Sequence, residues 1–238
     1  MNAELFAAAP TKGEQAKHRL LLAALEKIGE KGYDGASVRE IAEAAGQNVA
    51  AIAYYFGNKE SLYGEVIEGI IAYLNRTFGG LTQEAKRLFE GGGMTAAQGA
   101  ELLKRMLRAF LTEHLERNEI GKLRNVMIRE QASPTAAFGR LYSGGMEPLH
   151  EFFSRTLSAA SGEDPESHQA IIRAHALFGQ VLGFTVARST ILRRLGVPKL
   201  EKEHSDLIAR VIDEHVDFIC GGLCGKGGAS CGGAGPSQ

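Results

Sequence analysis

Two Glu-x-x-His pairs, Glu147 with His150 and Glu201 with His204, have the spacing by which a helix aims a carboxylate and an imidazole at one metal ion. A di-iron bundle needs two further glutamates on facing helices, and Pro148 interrupts the first pair. The second pair lies in the charged run Lys199–Asp206, the pattern of a solvated face. His215, Cys220, Cys224 and Cys231 collect soft ligands near the C-terminus, but at no spacing used by structural zinc sites. Gly91–Gly92–Gly93 has neither a strand before it nor a Gly-Lys-Ser/Thr after it, so it reads as a linker and not as a phosphate cradle. No metal, cofactor or catalytic residue is therefore expected, and the chain reads as a non-enzyme.

The elements that must position any site are helical. Apolar residues make up 44% of the 238 residues and charged residues 23%, an ordinary globular balance that excludes disorder of the whole chain. Tryptophan is absent, aromatics are 7%, and i, i+3, i+4, i+7 apolar spacing recurs, as at Leu21, Ala24, Leu25 and Ile28 or Leu103, Met106, Leu107 and Phe110. No alternating strand of useful length is found, so the fold class is all-α. Gly32 can close the first helix, Ser37 and Glu40 form a capping box, and Asn58 can cap a helix starting at Lys59. Ser133–Pro134 and Asp164–Pro165 each read as a cap followed by proline at the first helical position. Gly144, Gly145 and Pro148 predict a kink. The longest uncharged runs, Ala44–Asn58 and Ala174–Ala187, hold 15 and 14 residues. Both fall short of the ~20 apolar residues of a membrane span. With no basic leader at the N-terminus, a cytoplasmic location is expected.

Residues 37–56 read SVREIAEAAGQNVAAIAYYF: two short amphipathic helices meeting at Ala45–Gly46–Gln47. Val38, Ile41, Val49, Ile52 and Phe56 form a miniature core, leaving Gln47, Asn48, Ala50, Ala51, Tyr54 and Tyr55 on or beside the outer face. A small, polar outer face suits the DNA major groove. The same spacing also serves a helical hairpin that contacts protein, and net charge does not decide between them: it is −1, from 27 basic and 28 acidic residues. Lys59 opens the next helix, where a phosphate is well placed.

These residues resemble the DNA-binding domain of TetR-family transcriptional regulators. The resemblance rests on Ser37, Ile41-Ala42, Ala45-Gly46, Tyr54-Tyr55-Phe56 and Asn58-Lys59-Glu60-Ser61-Leu62-Tyr63. More narrowly, TKGEQAK at 11–17, AGQN…YYFG at 45–57 and REQASPTAAF at 129–138 are similar to the CecR-like subfamily. Ala53 and Ala50-Ala51 depart from the usual aromatic and Gly-Thr of the family. The resemblance implies base or phosphate roles for Gln47, Asn48, Tyr54 and Tyr55, and phosphate roles for Ser37, Arg39 and Lys59. Lys12, Lys17, His18 and Arg19 stand where they could follow the backbone. Because the second helix has no Arg or Lys, sequence reading would fall to Gln/Asn hydrogen bonds, the methyls of Ala50 and Ala51, and the tyrosines.

The expected organisation is a DNA-binding domain at 11–58, a connecting helix at 59–78, a ligand-sensing and dimerisation domain at 79–222, and a disordered Gly/Cys-rich tail at 223–238. The family resemblance places Met106, Phe110, Leu123, Met127, Phe178 and Leu182 around an apolar cavity, with Arg129, Glu130 and His175 as its polar groups. Arg129 and Glu130 also read as a surface or inter-helix ion pair, with a ligand-contacting or switch-coupling pair as the functional alternative. Ile171–Leu192 is apolar on more than one face, which requires burial on both sides and implies a homodimer. The expected partners are a double-stranded, palindromic DNA operator, a second copy of the chain and a small apolar effector, and the expected function is repression relieved by that effector.

Overall fold

The computed structural model describes Phe6, residues 11–116 and residues 120–227, and within them the chain is helical with no strand. It divides into two compact units. The first comprises the chain up to Thr77 and the stretch ending at Glu147; the second comprises Phe78–Glu116 and the chain from Pro148 onward. The block expected at 79–222 is thus split, since the segment carrying REQASPT folds with the N-terminal helices.

The first unit opens with α1 (Lys12–Gly35), whose capping box runs between Thr11 and Glu14 and whose backbone bends at Gly32. Leu20, Leu21, Ala24, Leu25 and Ile28 form its buried stripe. Next come α2 (Val38–Ala44) and α3 (Val49–Phe56), with Gly46 at φ 64 in the turn between them, a left-handed conformation that glycine adopts without steric cost. α4 (Lys59–Glu90) follows. It runs past the expected stop near Phe78 because Gly79 and Gly80 meet open space while Phe78 and Ala85, on either side, are buried. α6 (Gly121–Ala132) lies against α1. The approach is close: a Cβ on Gly29 would stand 3.1 Å from the Lys122 carbonyl oxygen. After α7 (Phe138–Leu141) a wide turn at Tyr142–Met146 replaces the expected kink, with the Glu147 N–H reaching back to the Tyr142 carbonyl.

The second unit holds the end of α4, α5 (Ala96–Leu111), α8 (Glu147–Ser161, beyond its first residue), α9 (His168–Val186), α10 (Arg188–Leu195) and α11 (Lys202–Gly227). Its core is Leu103, Met106, Leu107 and Phe110 of α5 with Phe78, Phe152, Phe153 and Leu157. α5 lies along α11 through the Lys104–Asp217 and Arg108–Asp213 pairs.

Two predicted helix starts are corrected. α9 begins at His168 with Ser167 as its cap, because the Asp164 carboxylate accepts from the Glu166 N–H and holds a turn there. Ser133–Pro134 opens no helix, because Glu130 draws in the Thr135 N–H and keeps the segment non-helical. α11 runs to Gly227, past the expected boundary of the tail at 223; Cys231 lies outside the described residues. Among the described residues no single helix is long and apolar enough to cross a membrane.

The Ser37–Glu40 box yields a pH prediction. Lys31 and then the Ser37 N–H hold the Glu40 carboxyl down to about 2, from an ordinary 4.5. A depressed carboxyl contributes its full stabilisation above the unfolded value and loses it as pH falls through the folded one. The first turn of α2 should therefore fray between about pH 4.5 and 2, seen as faster exchange of the Ile41 amide, which bonds to the Ser37 carbonyl. In Glu40→Ala that acid step should be missing.

Candidate nucleic-acid interface

The face presented by α3 is built from beneath. Ile41, Ile52 and Phe56 are buried, so the remaining sides of α3 point outward. Ala50 and Asn48 are exposed, Gln47 and Ala51 are half-buried, and Tyr54 is 82% exposed. Tyr55 is half-buried with its ring edge-on to Tyr54 at 4.8 Å. Val49 departs from expectation. It is 44% exposed and outside the miniature core, because it is the first residue after the α3 cap and stands at the open end of the helix.

Several polar candidates already have structural partners. Asn48 caps α3, its Oδ1 accepting the Ala51 N–H at 3.0 Å. The Ser37 hydroxyl donates to Glu40 at 2.8 Å and accepts the Glu40 N–H at 3.2 Å. Lys17 pairs with Glu65 at 2.7 Å and sits over the Phe56 ring. The Lys59 ammonium donates to the Tyr33 carbonyl and lies 4.3 Å from the centre of the Tyr33 ring, fastening the start of α4 to the end of α1. His18 is turned inward, its Nε2 buried without a partner and its ring edge-on to Phe6. Arg39, Lys12 and Arg19 are exposed and form no ion pair among the described residues.

The nine residues expected around a cavity divide between the units. Leu123, Met127, Arg129 and Glu130 lie in the first; Met106, Phe110, His175, Phe178 and Leu182 lie in the second. Arg129 donates to the Gly29 carbonyl at 2.8 Å and to that of Glu30. Glu130 is 2% exposed and accepts from the Tyr63 hydroxyl at 2.6 Å, the Thr135 hydroxyl at 2.9 Å and the Thr135 N–H at 3.1 Å. Burial, and then the bond to Glu130, push the Tyr63 phenol up. These two side chains therefore bind α6 to α1 and α4. In the second unit Phe110 stacks on Phe78 at 4.1 Å and meets Phe178 edge-on at 4.9 Å.

The structure gives other work to the residues read for metal chemistry. His150 stacks on His175 at 5.6 Å, and burial followed by the charge of His175 holds its imidazole below the usual range. His204 accepts the Glu201 N–H at the start of α11, and His215 Nδ1 lies 2.9 Å from Gln180 Oε1. Cys220 is buried. Among the described residues no group of three or more His, Cys, Asp or Glu is placed to hold a metal ion. The sequence reading missed Tyr63 and His150 as partners. Their signals were a tyrosine on a mostly aliphatic stripe of α4 and a histidine beside Phe152 and Phe153, and neither names its partner.

Residues 20–66 match the domain described as bacterial regulatory proteins, tetR family, and residues 100–223 match the C-terminal domain of the HTH-type transcriptional dual regulator CecR. The chain is 39% identical over 212 residues to CecR of Shigella flexneri, covering 89% of this chain and 94% of that one. It is 32% identical over 65 residues to the transcriptional repressor NicS of Pseudomonas putida, 27% of this chain and 31% of that one. Among solved structures, AibR in complex with isovaleryl coenzyme A and operator DNA is similar at a TM-score of 0.60 and 16% identity, covering 85% of this chain and 97% of that one. With its α3 face and its match through both domains, the chain belongs to the TetR family of transcriptional regulators and carries a C-terminal domain of the CecR type.

Proposed function

We propose that the chain is a homodimeric repressor that reads a palindromic operator with α3 and leaves it when a small apolar effector binds the second unit. The observation that carries the DNA reading is the outer face of α3, where Tyr54 is 82% exposed over a floor of buried Ile52 and Phe56. A side chain of that size, left in water with the edge-on Tyr55 ring beside it, is free to meet a partner. Gln47, Ala50, Ala51 and Tyr54 read bases, Tyr55 supports Tyr54, and Asn48 and Ser37 shape the helix ends that face phosphate. Arg39 supplies backbone charge. Lys17 and Lys59 hold α1 and α4 in place around α3, and any phosphate they meet they meet from those positions.

Gln47→Ala and Tyr54→Ala should each weaken operator binding by ~1–3 kcal/mol, about 5- to 150-fold, at particular base positions. Arg39→Ala should weaken binding to all sequences alike and lower the salt slope by about one. Operator titrations at several salt concentrations separate these effects. Three variants that all bind like the parent would remove α3 from the interface.

The dimer reading rests on apolar surface left in water. Ile172 and Val186 of α9 are each 67% exposed, and Leu207 and Phe218 of α11 are 50% and 78% exposed. Such surface supports an interface between two copies. Light scattering should give about 51 kDa, twice the chain's 25.5 kDa. Val186→Asp should return monomer, because it buries an unpaired charge in the interface. A Val186→Asp protein that stays dimeric would place the interface elsewhere.

For release, Met106, Phe110, Phe178 and Leu182 supply the apolar contacts to the effector and His175 a polar one. Arg129 holds α1 and Glu130 holds α4, so a shift of α6 is felt by both supports of α3. An effector that weakens DNA binding ~100-fold must favour the non-binding state by about 2.7 kcal/mol.

A further inference from the structure

We propose that α10 carries a site for a phosphate-bearing small molecule, formed by Ser189, Thr190, Arg193 and Arg194 and separate from the apolar effector site. Between Glu166 and Glu201 the chain contains no aspartate or glutamate, yet it carries Arg173, Arg188, Arg193, Arg194 and Lys199. Arg173 is paired with Glu163 and Lys199 with Glu201. The three arginines of α10 have no acidic partner among the described residues. Packing accounts for this helix only in part, because none of its eight residues is fully buried, and Ile191 and Leu192 are half-buried. A helix of that length is not stable alone in water, so its sequence has another constraint to satisfy.

The placement of the four side chains supplies one. Ser189 and Arg193 are four residues apart, as are Thr190 and Arg194, and helical side chains lean toward the N-terminus. Each arginine therefore follows a hydroxyl by one helical turn, and the four side chains line one open cleft of about 480 Å³. Two planar forks and two hydroxyl donors offer more donors than a carboxylate can accept, and they match the several oxygens of a phosphate group. That all three cations of α10 are arginine and none is lysine fits bidentate recognition.

The test is a calorimetric titration of the full-length protein with sodium pyrophosphate, at ionic strength balanced with sodium chloride. Saturable binding at one site per chain is expected, together with a raised thermal midpoint. Arg193→Gln/Arg194→Gln should weaken the binding at least tenfold, and Ser189→Ala/Thr190→Ala several-fold. Because these positions are exposed, both variants should keep the parent's circular dichroism and operator affinity. The proposal is overturned by an absence of saturable binding, by equal heats from sodium chloride, or by pyrophosphate affinity that survives the arginine substitutions. It is also overturned if the variants lose duplex DNA binding in place of pyrophosphate binding, which would make the cleft a DNA contact.

Discussion

Glu130→Ala should unfold the first unit at markedly lower temperature. Glu130 is 2% exposed and takes three hydrogen bonds, from Tyr63 and twice from Thr135. Its removal leaves those donors inside without an acceptor, at ~1–3 kcal/mol for each one that stays buried. A net loss of about 3 kcal/mol lowers the midpoint of a chain of this size by roughly 6–12 °C. Glu130→Gln keeps an acceptor for the Tyr63 and Thr135 hydroxyls but turns an NH2 toward the Thr135 N–H, and should recover only part of the loss. Calorimetry of Glu130→Ala, Tyr63→Phe and the double variant gives the coupling energy. Additive losses would mean that the two side chains do not act as a pair. Operator affinity of the folded Glu130→Ala protein should fall as well, since α4 then lacks its tie to α6.

Phe110→Ala should be comparably damaging in the second unit. The ring is 3% exposed, stacked on Phe78 and edge-on to Phe178. Truncating such a buried phenylalanine costs ~3–5 kcal/mol in lost transfer energy and cavity formation, or roughly 6–20 °C in midpoint. An apolar cavity of that kind stays dry and takes up small aromatics. Toluene should therefore raise the midpoint of Phe110→Ala by more than it raises that of the parent. A loss below about 1 kcal/mol would mean that the space around Phe110 is already open in the parent.

What the sequence disclosed and what it withheld differ by range. The Ser37–Glu40 box and the Asn58 cap are bonds between residues three apart, so residue types at a fixed spacing were enough to find them. Gly46 was legible for the same reason. The partner of Glu130 is Tyr63, 67 residues away, and no local pattern encodes that pairing. The same blindness left Arg129 and Glu130 between an inter-helix pair, a switch and a cavity lining, and only the folded chain shows the bonds that tie α6 to α1 and α4. Lys59 illustrates a second limit. Its position at a helix start suggested a phosphate, but the Tyr33 carbonyl and ring that engage it come from the end of α1. Helix ends were misread where tertiary packing outweighed local signals, as at Gly79–Gly80, which α4 crosses because buried residues flank the pair. The α3 face was readable because its apolar residues occupy one side of eight positions, with Val49 the exception at the open end.

The most direct test of the central proposal, that α3 reads a specific duplex, is fluorescence anisotropy with DNA from the promoter beside the protein's own gene. Parent and Tyr54→Ala proteins would be titrated against that duplex and a shuffled one between 50 and 200 mM salt. The prediction is that the parent binds the promoter duplex at least 1000-fold more tightly than the shuffled one, as expected of specific binding. Tyr54→Ala should lose at least fivefold on the promoter duplex and nothing on the shuffled duplex. Equal affinity of the parent for both duplexes, or a Tyr54→Ala protein indistinguishable from the parent on the promoter, would contradict it.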